Sequence, residues 1–157
     1  MGPHLDSGSD ELNNRIFCRL FQLGNLLQRQ AVRQLGITTI QWAVLGALSE
    51  AKFQSGVPVG DLAEYLVVGR QNLGWVLKRL ERDSLLERVA GEGDRRARIV
   101  RLTADGRQFW ADLLEQIDAF CDQAAASLAA AERIALARYL YDLQADLNAV
   151  KLPGVKD

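Results

Sequence analysis

The sequence predicts a mainly α-helical fold that carries one small β-hairpin, and three observations predict it. Stretches at both ends repeat apolar residues at three-to-four-residue spacing. The middle holds two short helical runs separated by a tight turn. Two β-prone runs, "LLERV" and "ARIVRL", flank the glycine-containing "AGEGDRR". With 157 residues, 48% of them hydrophobic, the chain is long enough to bury a packed core.

Residues 1–9 read as a flexible polar leader that holds the single histidine, His4. From Asp10 to about Leu35, Leu12, Ile16, Leu20, Leu23 and Leu27 recur at helical spacing, Phe17 and Phe21 widen the stripe, and Gly36 supplies a stop. In "ITTIQWAVLGAL", Thr38 and Gln41 form a T-x-x-Q capping box, which starts a second helix that buries Trp42, Leu45 and Leu48. "AKFQSGVPVG", with two glycines and a proline, reads as a loop before a third helix, "DLAEYL". After a turn at Val67 to Gly69, a fourth helix, "RQNLGWVLKRLER", runs to about Ser84 around Leu73, Val76, Leu77 and Leu80. Two short helices joined in this way form a helix-turn-helix, and the hairpin that follows makes it a winged helix.

Thr103 in "LTADG" is an N-cap for a fifth helix with Phe109, Leu113, Leu114, Ile117 and Phe120 on one side. A last helix covers roughly Ala131 to Val150, with Leu136, Leu140, Leu143 and Leu147 in register. The long terminal helices carry apolar stripes that need a partner surface, and each other plus a second copy is the simplest supply. The expected organisation is therefore a leader at 1–9, a dimerisation helix at 10–36, a winged helix-turn-helix lobe at 37–102, and helices completing the dimerisation region at 103–157.

Charge is segregated along the chain. Residues 67–102 hold nine Lys/Arg and five Asp/Glu, a net +4, whereas residues 103–157 hold five and nine, a net −4. No apolar run approaches the roughly 20 residues of a membrane span, and a cytoplasmic location is expected. Two distant cysteines, Cys18 and Cys121, read as buried thiols, with no cluster for a metal and no cofactor signature. No nucleophile-base pair or phosphate loop suggests an enzyme.

With Leu73, Val76, Leu77 and Leu80 turned inward, the fourth helix presents Arg70, Gln71, Asn72, Gly74, Trp75, Lys78 and Arg79 outward. Arginine can pair with guanine, Gln and Asn with adenine, and cations with phosphates. The hairpin adds Arg95, Arg96, Arg98 and Arg101, and Asp94 stands two residues before Arg96, where a carboxylate can orient the guanidinium. Gly74 and Trp75 have two readings. Either the helix backbone approaches DNA there and the indole covers thymine methyl or sugar surface, or the indole folds back over the hairpin or third helix and the glycine makes room.

On these residues the sequence resembles the MarR family of bacterial winged-helix transcription regulators over nearly its whole length. The most specific segments are "DLAEYLVVGRQNLGWVLKRLERDSLLERV" and "GDRRARIVRLTADG", which look like the family's helix-turn-helix, its D-x-R wing signature and its L-T-x-x-G run. The resemblance implies a homodimer on a palindromic DNA operator, with Arg96 in the minor groove and Asp94 orienting it. Two positions depart from the family pattern. Gly69 stands where Ser or Thr often starts the recognition helix, and Gly74 and Trp75 stand where small polar or basic residues are common.

The resemblance also implies release from DNA when a small molecule, often an aromatic acid or its coenzyme A thioester, binds between the dimerisation and winged-helix regions. The crevice would lie among the first, second and fifth helices, with Phe17, Phe21, Trp42, Leu45, Phe109 and Trp110 as walls and Arg15 or Arg19 as the cation. Core packing is the competing reading of these aromatics. The expected function is a DNA-binding repressor released by such an effector. One alternative is a peroxide-sensing regulator using Cys18, as a branch of the family does. Another is a winged-helix interaction module that docks an acidic partner instead of DNA.

Overall fold

The computed structural model describes residues 7–91 and 93–155, and for residues 7, 9, 10 and 94–97 it describes the backbone only. Helix α1 spans Ser7–Leu35 and so begins inside the stretch expected to be a leader, while residues 1–6, His4 among them, lie outside the described residues. Arg15 and Glu11 pair one turn apart near its start.

Helix α2, Thr39–Ser49, opens with the expected capping box: Gln41 N donates to Thr38 Oγ1 at 3.2 Å and Thr38 N donates to Gln41 Oε1 at 2.9 Å. A second set of bonds ties it to α1, because Gln28 Oε1 accepts from Thr39 N at 2.8 Å and from Thr39 Oγ1 at 2.6 Å. Leu45 and Leu48 are buried as expected, whereas Trp42 is half-buried against the Ile37, Leu113 and Ile117 cluster.

The stretch expected to be a loop contains a short 3-10 turn, Ala51–Phe53, and a two-residue strand, β1, Val57–Pro58. Two residues are too short for alternation to register, and proline argues against a strand except at an edge, which is where β1 lies. After α3, Val59–Leu66, and α4, Arg70–Arg82, come β2, Leu86–Gly91, and β3, Asp94–Leu102. The antiparallel sheet has the order β1-β3-β2, with Val57 opposite Val100 and Leu86 opposite Leu102.

Leu45, Leu62, Leu73, Leu77, Leu86 and Val100 come from five different elements and meet in one core. Each fully buried side chain of this kind contributes roughly 1.5–3 kcal/mol, so α4 is held by its inward leucines and is free to offer its outer face.

Helix α5, Ala104–Ala124, starts in a tightly bonded corner. Thr103 Oγ1 accepts from Gly106 N at 2.9 Å and donates to Ser84 O at 2.6 Å, and Thr103 N donates to Leu85 O at 3.1 Å. Gly106 packs so closely that a Cβ there would lie 1.8 Å from Leu85 O, which accounts physically for the glycine in "LTADG".

The chain divides into two compact units, Met1–Ile117 and Asp118–Asp157. In the second, Arg133 pins the turn before α6, Ala130–Ala149, by donating to Leu128 O at 3.1 Å and Ala125 O at 3.0 Å and pairing with Asp122 at 3.3 Å. None of the α6 residues is buried, and Ile134, Tyr141 and Leu147 stand exposed. Among the described residues, no helix is long and apolar enough to cross a membrane.

Candidate nucleic-acid interface

The turn between α3 and α4 is set by Val67, which adopts a left-handed conformation at φ 55°. A β-branched residue is strained there. Gly69 then serves as N-cap of α4 without a side-chain hydrogen bond, as its identity dictates.

Along α4, Leu73, Leu77 and Leu80 are buried, and Val76 is half-buried at the margin of that face. The opposite face presents Gln71, Trp75, Lys78 and Arg82, all exposed and spaced so that one stripe runs the length of the helix. Arg82 extends the expected set by one turn. Repeating the interval that links Gln71 to Trp75 reaches Arg82 from Lys78, so the periodicity contained this residue.

The remaining expected residues flank that stripe. Arg70 is exposed, but its guanidinium lies over Gly60 of α3, where an added Cβ would come within 2.9 Å of Nη2. Asn72 is exposed, and Arg79 is exposed beside the cavity described below. A Cβ on Gly74 would meet nothing within 4 Å. Trp75 is 67% exposed, and Lys78 Nζ sits 5.4 Å from its ring centroid. The structure therefore gives Gly74 no neighbour to make room for, and most of the indole remains in solvent.

On the hairpin, some cations are already paired. Arg101 Nε donates to Glu87 Oε1 at 2.8 Å across the strands, and Arg88 Nε reaches Glu81 Oε2 at 3.3 Å. Arg101 thus fastens β3 to β2, while Arg98 is exposed. Gly93, at φ 87°, makes the tip turn. The side chains of Asp94, Arg95 and Arg96 lie outside the described residues, although their backbone opens β3.

A cavity of about 320 Å³ lies where α2, the end of α4 and the start of α5 meet. Leu45 and Phe109 line it as expected, and Ile37, Gln41, Arg79 and Asp83 join them. Trp110 lines a separate hollow of about 200 Å³ and packs over Gly46, while Trp42 joins the Ile37 cluster. Phe17 and Phe21 are exposed on α1, Arg15 is paired with Glu11, and Arg19 is exposed, so none of these four lines the cavity. Which residues converge there depends on how α4 meets α5, a relation that no single helical stripe encodes.

Residues 35–97 match the family model described as MarR family. The transcriptional activatory protein BadR of Rhodopseudomonas palustris is 50% identical over 103 residues, which is 64% of this chain and 59% of BadR. A probable transcriptional regulator from Pseudomonas aeruginosa is similar in structure, with a TM-score of 0.74 and 26% identity over 84% of this chain and 98% of that one. The transcriptional regulator MOSR of M. tuberculosis, solved in complex with DNA, superposes with a TM-score of 0.67 at 26% identity, covering 90% of this chain and 97% of that one.

Across its helix-turn-helix and hairpin the chain is similar to the MarR family. Its fold class, mainly helical with a small hairpin wing, is the one its sequence predicts. The MarR-family match runs from the end of α1 into β3, and so takes in both helices of the helix-turn-helix and the hairpin. The chain spans less than two thirds of the length of the curated relatives it matches.

The expectation of buried thiols is overturned, since Cys18 and Cys121 are both exposed. Cys18 lies on an exposed stretch of α1, and its thiol is 3.9 Å from Asn14 Oδ1. Partial burial, reinforced by Asp118 and Asp122, pushes the Cys121 thiol above its ordinary pKa and so away from the thiolate. Among the described residues, no group of three or more His, Cys, Asp or Glu side chains could hold a metal ion.

Proposed function

We propose that the chain is a sequence-specific DNA-binding transcription regulator that acts as a homodimer on a palindromic operator, its occupancy set by a small aromatic acid or acyl thioester. The observation that carries this reading is the exposed stripe of Gln71, Trp75, Lys78 and Arg82 on a helix whose other face is anchored by leucines. Hydrogen-bonding and cationic side chains in one line along a rigid helix suit base edges and phosphates of a major groove. The adjoining hairpin, with Arg95, Arg96 and Arg98 near its tip, suits the neighbouring minor groove, where arginine senses negative potential. The relative MOSR, solved with DNA, supports the same reading.

Dimerisation is supported by apolar surface that a single chain leaves open, including Leu12, Phe21 and Leu23 on α1 and Ile134 and Tyr141 on α6. Two copies would place two equal helices on one duplex, which requires half-sites about one helical turn apart, roughly 34 Å.

For the effector, the 320 Å³ cavity is the favoured seat. Phe109 and Leu45 offer apolar wall, Arg79 can pair a carboxylate, and Asp83 or Gln41 can accept from a ring hydroxyl. Arg79 takes the role expected of Arg15 or Arg19. Because Arg79 belongs to α4, pairing it with an effector would withdraw a cation from the DNA-facing helix. A repressor would then leave its operator. Activation is a second reading, favoured by the name of the BadR relative as a transcriptional activatory protein.

The test is selection of the full-length chain against a pool of random duplexes. Enrichment of an inverted repeat with centres about one helical turn apart is expected. If no sequence is enriched, the regulator reading fails, and docking to an acidic protein partner becomes the better account of the basic surface. A thermal-shift screen of aromatic acids and their coenzyme A thioesters tests the effector, since a ligand specific to the native state raises the melting temperature. Arg79→Gln should abolish that rise for carboxylates.

A further inference from the structure

Gly74 and Trp75 are both unfavourable within the chain itself. Glycine in a helix interior lowers stability relative to alanine. Two internal reasons could still retain it, a positive φ or a close neighbour, and Gly74 has neither: its φ is not positive, and a Cβ there would meet nothing within 4 Å. Trp75 exposes 67% of its surface next to that gap, with the Lys78 ammonium 5.4 Å from its ring centroid. The pair thus answers to something outside the chain.

Its surroundings select the partner. Gln71 and Lys78 lie one turn away along the same stripe, Arg82 closes it, and Arg70 and Arg79 flank it. An apolar indole set in one stripe between a hydrogen-bonding amide and cations matches a groove that presents an apolar group between two lines of phosphates. In the major groove of DNA, that apolar group is the C5-methyl of thymine.

Resting on the regulator reading above, we infer that Gly74 and Trp75 form a thymine-reading element. The indole packs on a thymine methyl in each half-site, and the missing side chain at 74 lets α4 sink far enough to place it there. Lys78 stacks on the indole and extends toward the adjacent phosphate, holding the ring upright.

Replacing thymine by deoxyuridine removes the methyl alone. In the selected palindrome, one thymine position per half-site should lower wild-type affinity by about fourfold when replaced, the value expected for losing one buried methyl-sized group. With Trp75→Ala, the same replacement should change affinity by less than about twofold, the sign of a direct coupling. Gly74→Ala should weaken binding to the same duplex while raising the melting temperature by about 2–4 °C, which separates lost approach from lost folding. Equal sensitivity of wild type and Trp75→Ala to deoxyuridine, or unchanged affinity in Gly74→Ala, would overturn the inference while leaving palindrome recognition intact. If the wild-type chain does not distinguish the palindrome from random duplex, the regulator reading fails and this inference fails with it.

Discussion

Gly106 at the start of α5 and Gly74 in the middle of α4 are both helical glycines, yet their surroundings are opposite. A Cβ on Gly106 would collide with the backbone carbonyl of Leu85, whereas a Cβ on Gly74 would enter open space. The first glycine is required by the fold, because α5 is bonded down through Thr103 onto the turn between α4 and β2. The second is not required by the fold, and the proposed approach to DNA accounts for it. The difference separates a corner whose residues serve architecture from a surface proposed to serve binding, although both sit in motifs that look like the same family.

Substitutions in the two regions should therefore change different measurements. The largest effect is expected for Gly106→Ala, where a methyl is forced against an immobile backbone oxygen. Overpacking of this kind costs about 3 kcal/mol, and denaturant unfolding should show it as a lowered midpoint. A loss below roughly 1 kcal/mol would mean that the corner can relax and that the contrast is weaker than the geometry implies. On the binding side, Arg96→Ala should weaken operator affinity by about 1–3 kcal/mol with an unchanged melting curve. If affinity is unchanged, the wing has no part in the complex.

Smaller effects sharpen the same division. Thr103→Val removes both the cap on Gly106 N and the bond to Ser84 O, and should cost about 1 kcal/mol of stability with intrinsic DNA affinity retained. Val67→Asn relaxes the left-handed turn ahead of α4 and should add about 1 kcal/mol, read as a higher denaturation midpoint. A destabilised Val67→Asn chain would indicate that the exposed valine contributes more than its backbone strain removes.

What could be read from the sequence follows the range of the interaction responsible. The Thr38–Gln41 capping box and the Thr103 cap are encoded within a few residues, and both are present in the structure. The inward leucines of α4 follow from periodicity alone, and Arg82 lies one interval further along the same exposed stripe. Strand β1 was hidden because two residues have no alternation and its partner, β3, lies some forty residues later in the chain. The cavity walls were only partly legible. Leu45 and Phe109 were anticipated, but Arg79 and Asp83 reach the cavity through the meeting of α4 with α5. The exposure of the cysteines is not legible in the sequence, because an average preference for burial says nothing about which face of α1 or α5 a neighbour covers.

The central claim is that the exposed face of α4 and the adjoining hairpin read DNA sequence. The most direct measurement is the equilibrium affinity of the wild-type chain for its selected palindrome and for a scrambled duplex of the same composition, both at near-physiological salt. A specific regulator is expected to bind the palindrome at least about a thousandfold more tightly. Equal affinities would contradict the account, since a basic surface alone binds both duplexes alike.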